Sequence, residues 1–100
     1  MEKHAQFETE RAQRHMSALC HHFGRKVPVH LGESTGRIEL PFGECILSAD
    51  AARLWLEVTA ETAEELERAV KVISDHLERF AFREAPELDW HPASPALDAT

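Results

Sequence analysis

The sequence predicts an α+β domain: an antiparallel sheet with two helices packed on one face, in the order β-α-β-β-β-β-α-β. Two stretches repeat apolar residues at helical spacing. Between them, four segments alternate apolar with polar residues and are separated by short turn-forming runs. Each helical stretch carries a single apolar stripe, so both are expected to cover the same face of the sheet.

The most strongly specified stretch is Thr62 to Arg83. Leu66, Ala69, Val70, Ile73, Leu77 and Phe80 form its stripe. Thr62 with Glu65 makes a capping box, in which the hydroxyl takes a free backbone N–H and the carboxylate reaches back. Glu64, Glu65 and Glu67 sit at the positive end of the helix dipole and Arg79 near the negative end.

The remaining elements follow in chain order. Ala5 and Phe7 alternate with His4, Gln6 and Glu8, which reads as a short first strand. Thr9 is the expected N-cap of the first helix, with Glu10 in its first turn. Ala12, Met16, Leu19, Cys20 and Phe23 give that helix one buried face, and Gly24 is expected to end it in the left-handed conformation. Val27, Val29 and Leu31 alternate with Pro28 and His30; Pro28 cannot donate to a ladder, so it marks a sheet edge or a strand's beginning. Gly32 to Gly36 reads as a turn, and Ile38, Leu40 and Phe42 as the inward residues of the next strand. Gly43 with Glu44 is expected to close a tight hairpin into Cys45, Leu47 and Ala49. After a turn over Asp50 to Arg53, Leu54, Leu56 and Val58 face the core while Trp55, Glu57 and Thr59 face away. Leu88 to His91 reads as a last short strand. A single domain over residues 1–91 and a disordered Pro-, Ala- and Ser-rich tail over residues 92–100 complete the chain.

One hundred residues suffice for one core. The net charge of −7 argues against a nucleic-acid binder, which needs clustered Lys and Arg. No apolar run approaches the ~20 residues of a membrane span, and the polar, acidic start is no signal peptide, so a cytoplasmic location is the default. In that compartment Cys20 and Cys45 are expected to be reduced, small core residues.

Candidate chemistry lies in two places. Adjacent residues on a helix diverge by about 100°, so Cys20, His21 and His22 do not chelate one ion together. His22 and His76 both precede a helix terminus and are placed to meet, and with Cys20 they would make a soft metal site. The competing expectation is that His76 is a hydrogen-bonded residue of the helix end. Arg79 and Arg83, four apart, suit a carboxylate or phosphate; alternatively they pair with Glu78, Glu84 or Glu39. On the other sheet face, alternation groups His30, His91, Asp89, Glu57 and Trp55, either as a metal or acid–base site or as a homodimer interface built on Trp55. No nucleophile elbow, phosphate loop, HExxH or CxxC motif is present, which argues against an enzyme.

Leu19-Cys20-His21-His22-Phe23-Gly24-Arg25-Lys26-Val27-Pro28-Val29, Gly36-Arg37-Ile38-Glu39-Leu40-Pro41-Phe42-Gly43 and His76-Leu77-Glu78-Arg79-Phe80-Ala81-Phe82-Arg83-Glu84 resemble the motifs of a bacterial family called domain of unknown function 2218 (DUF2218). The resemblance spans about residues 3 to 91, with three separated motifs in order. It implies no assigned activity. Similar domains precede siderophore-interacting flavin reductases, which implies a setting in iron or siderophore metabolism. Its motifs fall on His22, Gly24, Lys26, Gly43, His76, Arg79 and Arg83.

The expectations are therefore a fold resembling the TATA-binding-protein outline and a non-enzymatic accessory or ligand-binding domain. His22, Lys26, His76, Arg79 and Arg83 would take the ligand, an anionic chelate suiting the two Arg. The alternative is a homodimerisation or protein-interaction module using Trp55, His30 and His91. No cofactor is expected beyond a transition metal at the His pair; the partners expected are a second copy or a siderophore-utilisation protein, with no nucleic acid and no membrane.

Overall fold

The computed structural model describes residues 1–81, 88 and 90–92. Strand β1 (Glu2–Glu8) leads to helix α1 (Ala12–Phe23). Strands β2 (Val29–Leu31), β3 (Thr35–Leu40), β4 (Gly43–Ala49) and β5 (Arg53–Thr59) follow as a meander. Helix α2 (Ala63–Phe80) and the two-residue strand β6 (His91–Pro92) complete the order the sequence predicts. The sheet runs β2-β3-β4-β5-β1-β6, and all its pairings are antiparallel. The first strand is thus inserted between β5 and β6. Its seven residues pair with β5 without a break, from Glu2 opposite Thr59 to Glu8 opposite Arg53.

Alternation sorts the side chains as the sequence implies. Ala5 and Phe7, Ile38, Cys45, Leu47 and Ala49, and Leu54, Leu56 and Val58 are buried on one face. Met16, Leu19, Cys20 and Phe23 of α1 and Leu66, Ala69, Ile73 and Leu77 of α2 close over them as one core. Phe80, expected within the α2 stripe, is instead 36% exposed. Both cysteines are free thiols in this core. At Gly36 α1 packs close against the sheet: an added Cβ would stand 2.9 Å from Cys20 Sγ and 3.5 Å from Met16 Cγ. Among the described residues, no helix is long and apolar enough to cross a membrane.

Local details depart from expectation. Helix α1 starts at Ala12, with Arg11 at the N-cap position and no side-chain cap. Thr9 is engaged elsewhere: its N–H donates to Ala52 O (2.9 Å) and its hydroxyl accepts from Arg11 N–H (3.0 Å). Gly24 is right-handed (φ −61°, ψ −13°) and its N–H donates to Cys20 O (2.8 Å) in the ordinary helical pattern, and the chain tightens only beyond it, where Lys26 N–H donates to Phe23 O (3.0 Å). The β3–β4 turn is Pro41-Phe42, with Leu40 opposite Gly43, two residues earlier than expected. Gly43 belongs to β4, where a Cβ would meet Thr59 O at 2.6 Å. Gly36 likewise lies within β3, beyond the turn. The strand after α1 holds only Val29–Leu31, beginning just past Pro28 and forming the sheet edge. The last strand is His91–Pro92 rather than Leu88 to His91; Asp89 and the tail from residue 93 lie outside the described residues.

The α2 cap forms with one modification. Glu65 N–H donates to Thr62 Oγ1 (3.1 Å), while the Glu65 carboxylate accepts from the same hydroxyl (3.1 Å) rather than from the Thr62 backbone. Thr62→Ala is expected to cost about 1 kcal/mol of stability. Gly43→Ala is expected to cost roughly 1–3 kcal/mol, because the atom in its way is backbone. Urea denaturation of both variants checks this. An unchanged Gly43→Ala midpoint would show that β4 and β5 can separate there without loss.

Candidate functional site

The last turns of the two helices meet. His22, in the last turn of α1, stands with its ring 4.7 Å from that of His76 in α2. Phe23 packs at 4.8 Å from His76 and 5.4 Å from His22, and Phe80 lies edge-on to His22 at 5.6 Å. Four rings from two helices are therefore contiguous. His22 is exposed, His76 half-buried, and Phe23 closes the inner side. His76 Nδ1 lies 2.7 Å from Val72 O. A carbonyl only accepts, so Nδ1 carries the proton and the bond fixes the ring's tautomer and direction. This is the hydrogen-bonded role expected of His76, and it leaves the imidazole in contact with His22 as well.

The electrostatics of the cluster have one sign. His22 is held below its ordinary pKa of 6.5, first by desolvation on its ring-packed side, then by His76, Arg25, Arg79 and Lys26. The charges that lower it are all cationic. Arg25, Lys26 and Arg79 form no ion pair with a described residue. The expected pairing of Arg79 with Glu78 or Glu39 is absent: Glu39 accepts from His30 instead (3.0 Å). Each helix C-terminus contributes about half a negative charge. Near those two helix ends stand three cations without an ion-pair partner among the described residues, in a chain of net charge −7.

The structure brings His22, Lys26, His76 and Arg79 to one place; Arg83 and Glu84 lie outside the described residues. It does not add Cys20, whose thiol points at Gly36 in the sheet and is pushed up in pKa by burial. Among the described residues no three His, Cys, Asp or Glu side chains gather as a metal-holding group. Sequence reasoning missed Arg25, Phe23 and Phe80 as parts of this cluster. Phe23 and Phe80 were assigned to the core stripes, and only the meeting of two helix ends gives them the added role.

The open sheet face is organised differently from the expected constellation. His30 is on edge strand β2 and His91 on β6, five strand spacings away, or about 24 Å. They cannot share a ligand. His4, not singled out from the sequence, is the residue opposite both Glu57 and His91, with its ring 6.0 Å from His91. Glu57 is raised in pKa by desolvation and by the Glu2 carboxylate beside it. Trp55 faces outward at 39% exposure, yet it has partners within its own chain. The Arg53 guanidinium lies 5.6 Å from the ring centroid, and Nε1–H donates weakly to Asp50 Oδ2 (3.4 Å). These contacts reduce the need for a second protein to cover it.

A shallow cavity of about 560 Å³ lies at the other end of α2, between the Pro41-Phe42 turn and the helix start. Glu39, Glu44, Glu61 and Glu65 ring it, but several are already engaged: Glu44 with Arg37 (2.7 Å), Glu39 with His30 and Glu65 with Thr62. Arg68 covers the Phe42 ring at 4.7 Å.

Comparison with known proteins places the chain in a family. Residues 4–91 match the model of an uncharacterized protein conserved in bacteria, DUF2218, and the chain belongs to that family. It is similar to PA4090 from Pseudomonas aeruginosa, solved by NMR, with 30% identity, 93% of this chain and 97% of that chain covered, and a TM-score of 0.79. No curated protein matches.

The lowered pKa of His22 has a measurable consequence. Its imidazole is expected to titrate below 6.5 in a proton NMR titration, and Arg79→Ala is expected to move the midpoint upward. A charged base depressed in the folded state takes up its proton more readily when unfolded. Stability is therefore whole above about pH 6.5 and declines as pH falls towards the folded midpoint. A His22 midpoint at or above 6.5 would contradict the positive field assigned to the cluster.

Proposed function

We propose that this DUF2218 chain is a small, non-enzymatic binding domain that takes an anionic ligand at the meeting ends of α1 and α2. The observation that supports this most is the group of Arg25, Lys26 and Arg79, without an ion-pair partner among the described residues, beside an imidazole whose pKa is lowered first by desolvation and then by His76 and these cations. Cations without a partner among the described residues are available for charge-assisted hydrogen bonds, and Arg79 offers a planar fork to a carboxylate or phosphate. The same cations oppose a bare metal ion at His22 and His76, because they repel it and disfavour added positive charge. An anionic chelate meets no such obstacle. The iron and siderophore setting implied by the family resemblance supplies ligands of that charge class, and a siderophore-utilisation protein would be the matching partner.

Amide NMR titrations with inorganic phosphate, citrate and ferric citrate test this reading, with zinc as the bare-metal comparison. Anion-dependent shifts are expected at His22, Arg25, Lys26, His76 and Arg79, strengthening as pH falls and weakening with salt. Arg79→Ala is expected to lower citrate affinity about tenfold, since a hydrogen bond to a charged group contributes roughly 1.5–3 kcal/mol. Anion shifts confined to other parts of the chain, or zinc shifts at His22 and His76 without any anion shifts, would overturn the proposal.

A further inference from the structure

The cluster pairs its cations with exposed aromatic surface, and that combination narrows the ligand. Among the described residues, Phe80 is one of the few large apolar side chains left exposed, although it continues the stripe that buries Leu66, Ile73 and Leu77. Its position is set by the helix spacing: it lies four residues beyond His76 and one beyond Arg79. Across the helix junction its ring stands edge-on to His22, whose other neighbours are His76 and Phe23. A run of four rings therefore leads from the exposed Phe80 to the buried Phe23. Arg25, Lys26 and Arg79 stand close enough to act on the His22 in its middle.

Resting on the anion-binding reading above, we infer that the ligand is a planar aromatic carboxylate. Its carboxylate meets the cations while its ring packs on Phe80 and His22. A small hydrophilic anion would use the charges and leave the ring surface wet. A neutral aromatic would use the rings and leave the cations without a counter-charge. Only a molecule with both parts uses what the two helix ends present. The phenyl and imidazole faces favour edge-to-face or offset stacking with a flat ring. The guanidinium of Arg79 can serve both parts, since it binds carboxylates bidentately and stacks on π-faces. Lowering the charge of His22 keeps its ring weakly hydrated and so better suited to stacking than an imidazolium would be.

Acetate, benzoate, salicylate, phosphate and toluenesulfonamide (a neutral aromatic) serve as probes with the whole chain, followed by amide NMR at neutral pH. Benzoate and salicylate are expected to bind about fivefold or more tightly than acetate. Their shifts should extend to Phe80, His22 and Phe23, with ring-current signs that acetate lacks. Phe80→Leu keeps an apolar side chain at an exposed position and is expected to bring the affinity ratio of benzoate to acetate down to about one. Arg79→Ala is expected to weaken both. Equal affinity for acetate and benzoate, or an unaltered benzoate preference in Phe80→Leu, overturns the aromatic assignment while the anion site stands. Absence of binding by phosphate and by every carboxylate overturns the site itself. Binding of the neutral aromatic as tightly as benzoate overturns the role given to the cations.

Discussion

The seven-residue ladder between β1 and β5 is the constraint on which the rest of the molecule depends. It joins residues more than forty positions apart and sets the first strand inside the sheet rather than at its edge. That placement fixes which way β1 faces, so Ala5 and Phe7 are buried and His4 and Gln6 look outward. It also fixes where α1 begins. The chain leaves β1 beside Arg53, and Thr9 is tied to Ala52 there. From that point α1 packs against β2, β3, β4 and β5, while α2, leaving the far end of β5, packs against β4, β5 and β1. The two helices share the cover of the sheet and touch each other. The contact between His22 and His76 is a late consequence of one non-local strand pairing.

Much of this was legible because it is local. Alternation assigned Leu54, Leu56 and Val58 inward and Trp55 outward, since a strand's side-chain period is two residues whatever its neighbours are. Thr62 and Glu65 announced the start of α2 through chemistry confined to one turn. His22 and His76 were brought together by the inference that both lie in the last turns of helices covering one face. What was not legible needs a neighbour's identity. Nothing in His4, Glu57 and His91 marks them as adjacent until β1 is known to lie between β5 and β6. Sharing a face was mistaken for proximity in the case of His30 and His91, because alternation gives the face and says nothing of strand order. Gly24 and Thr9 failed for a smaller reason. Both types are permissive: Thr9 is held by a tertiary hydrogen bond to Ala52 O, and Gly24 stays right-handed while its N–H continues the helical bonding to Cys20 O.

The two ends of α2 have opposite characters, and the difference bears on which end works. At its start the four carboxylates around the 560 Å³ cavity are largely occupied by Arg37, His30 and Thr62. Phe42 is covered by Arg68. These pairings hold the hairpin against the helix and are explained by that alone. At the other end the cations have no partner among the described residues and the aromatic surface is left uncovered. Part of that arrangement is also structural: positive side chains near a helix C-terminus stabilise it by about 0.3–1 kcal/mol each. That accounts for the presence of positive charge. It does not account for gathering three such charges around two imidazoles while Phe80 is left exposed.

A net charge of −7 does not prevent an anion from binding there, and the reason is distance. At physiological ionic strength the Debye length is about 8 Å, so the excess carboxylates spread over the rest of the chain are largely screened at the cluster. Contacts within that radius are screened less, particularly on the side where Phe23 and His76 exclude water. The charges that lower the His22 pKa are cations, which makes the field at its ring positive. The far field is negative and slows the approach of an anion without weakening its final contacts much. Such a site works best for a ligand whose attraction does not rest on charge alone. An apolar contact with Phe80 survives screening, adds to the salt-sensitive part, and discriminates against phosphate and simple carboxylates that an exposed pair of arginines would otherwise accept equally.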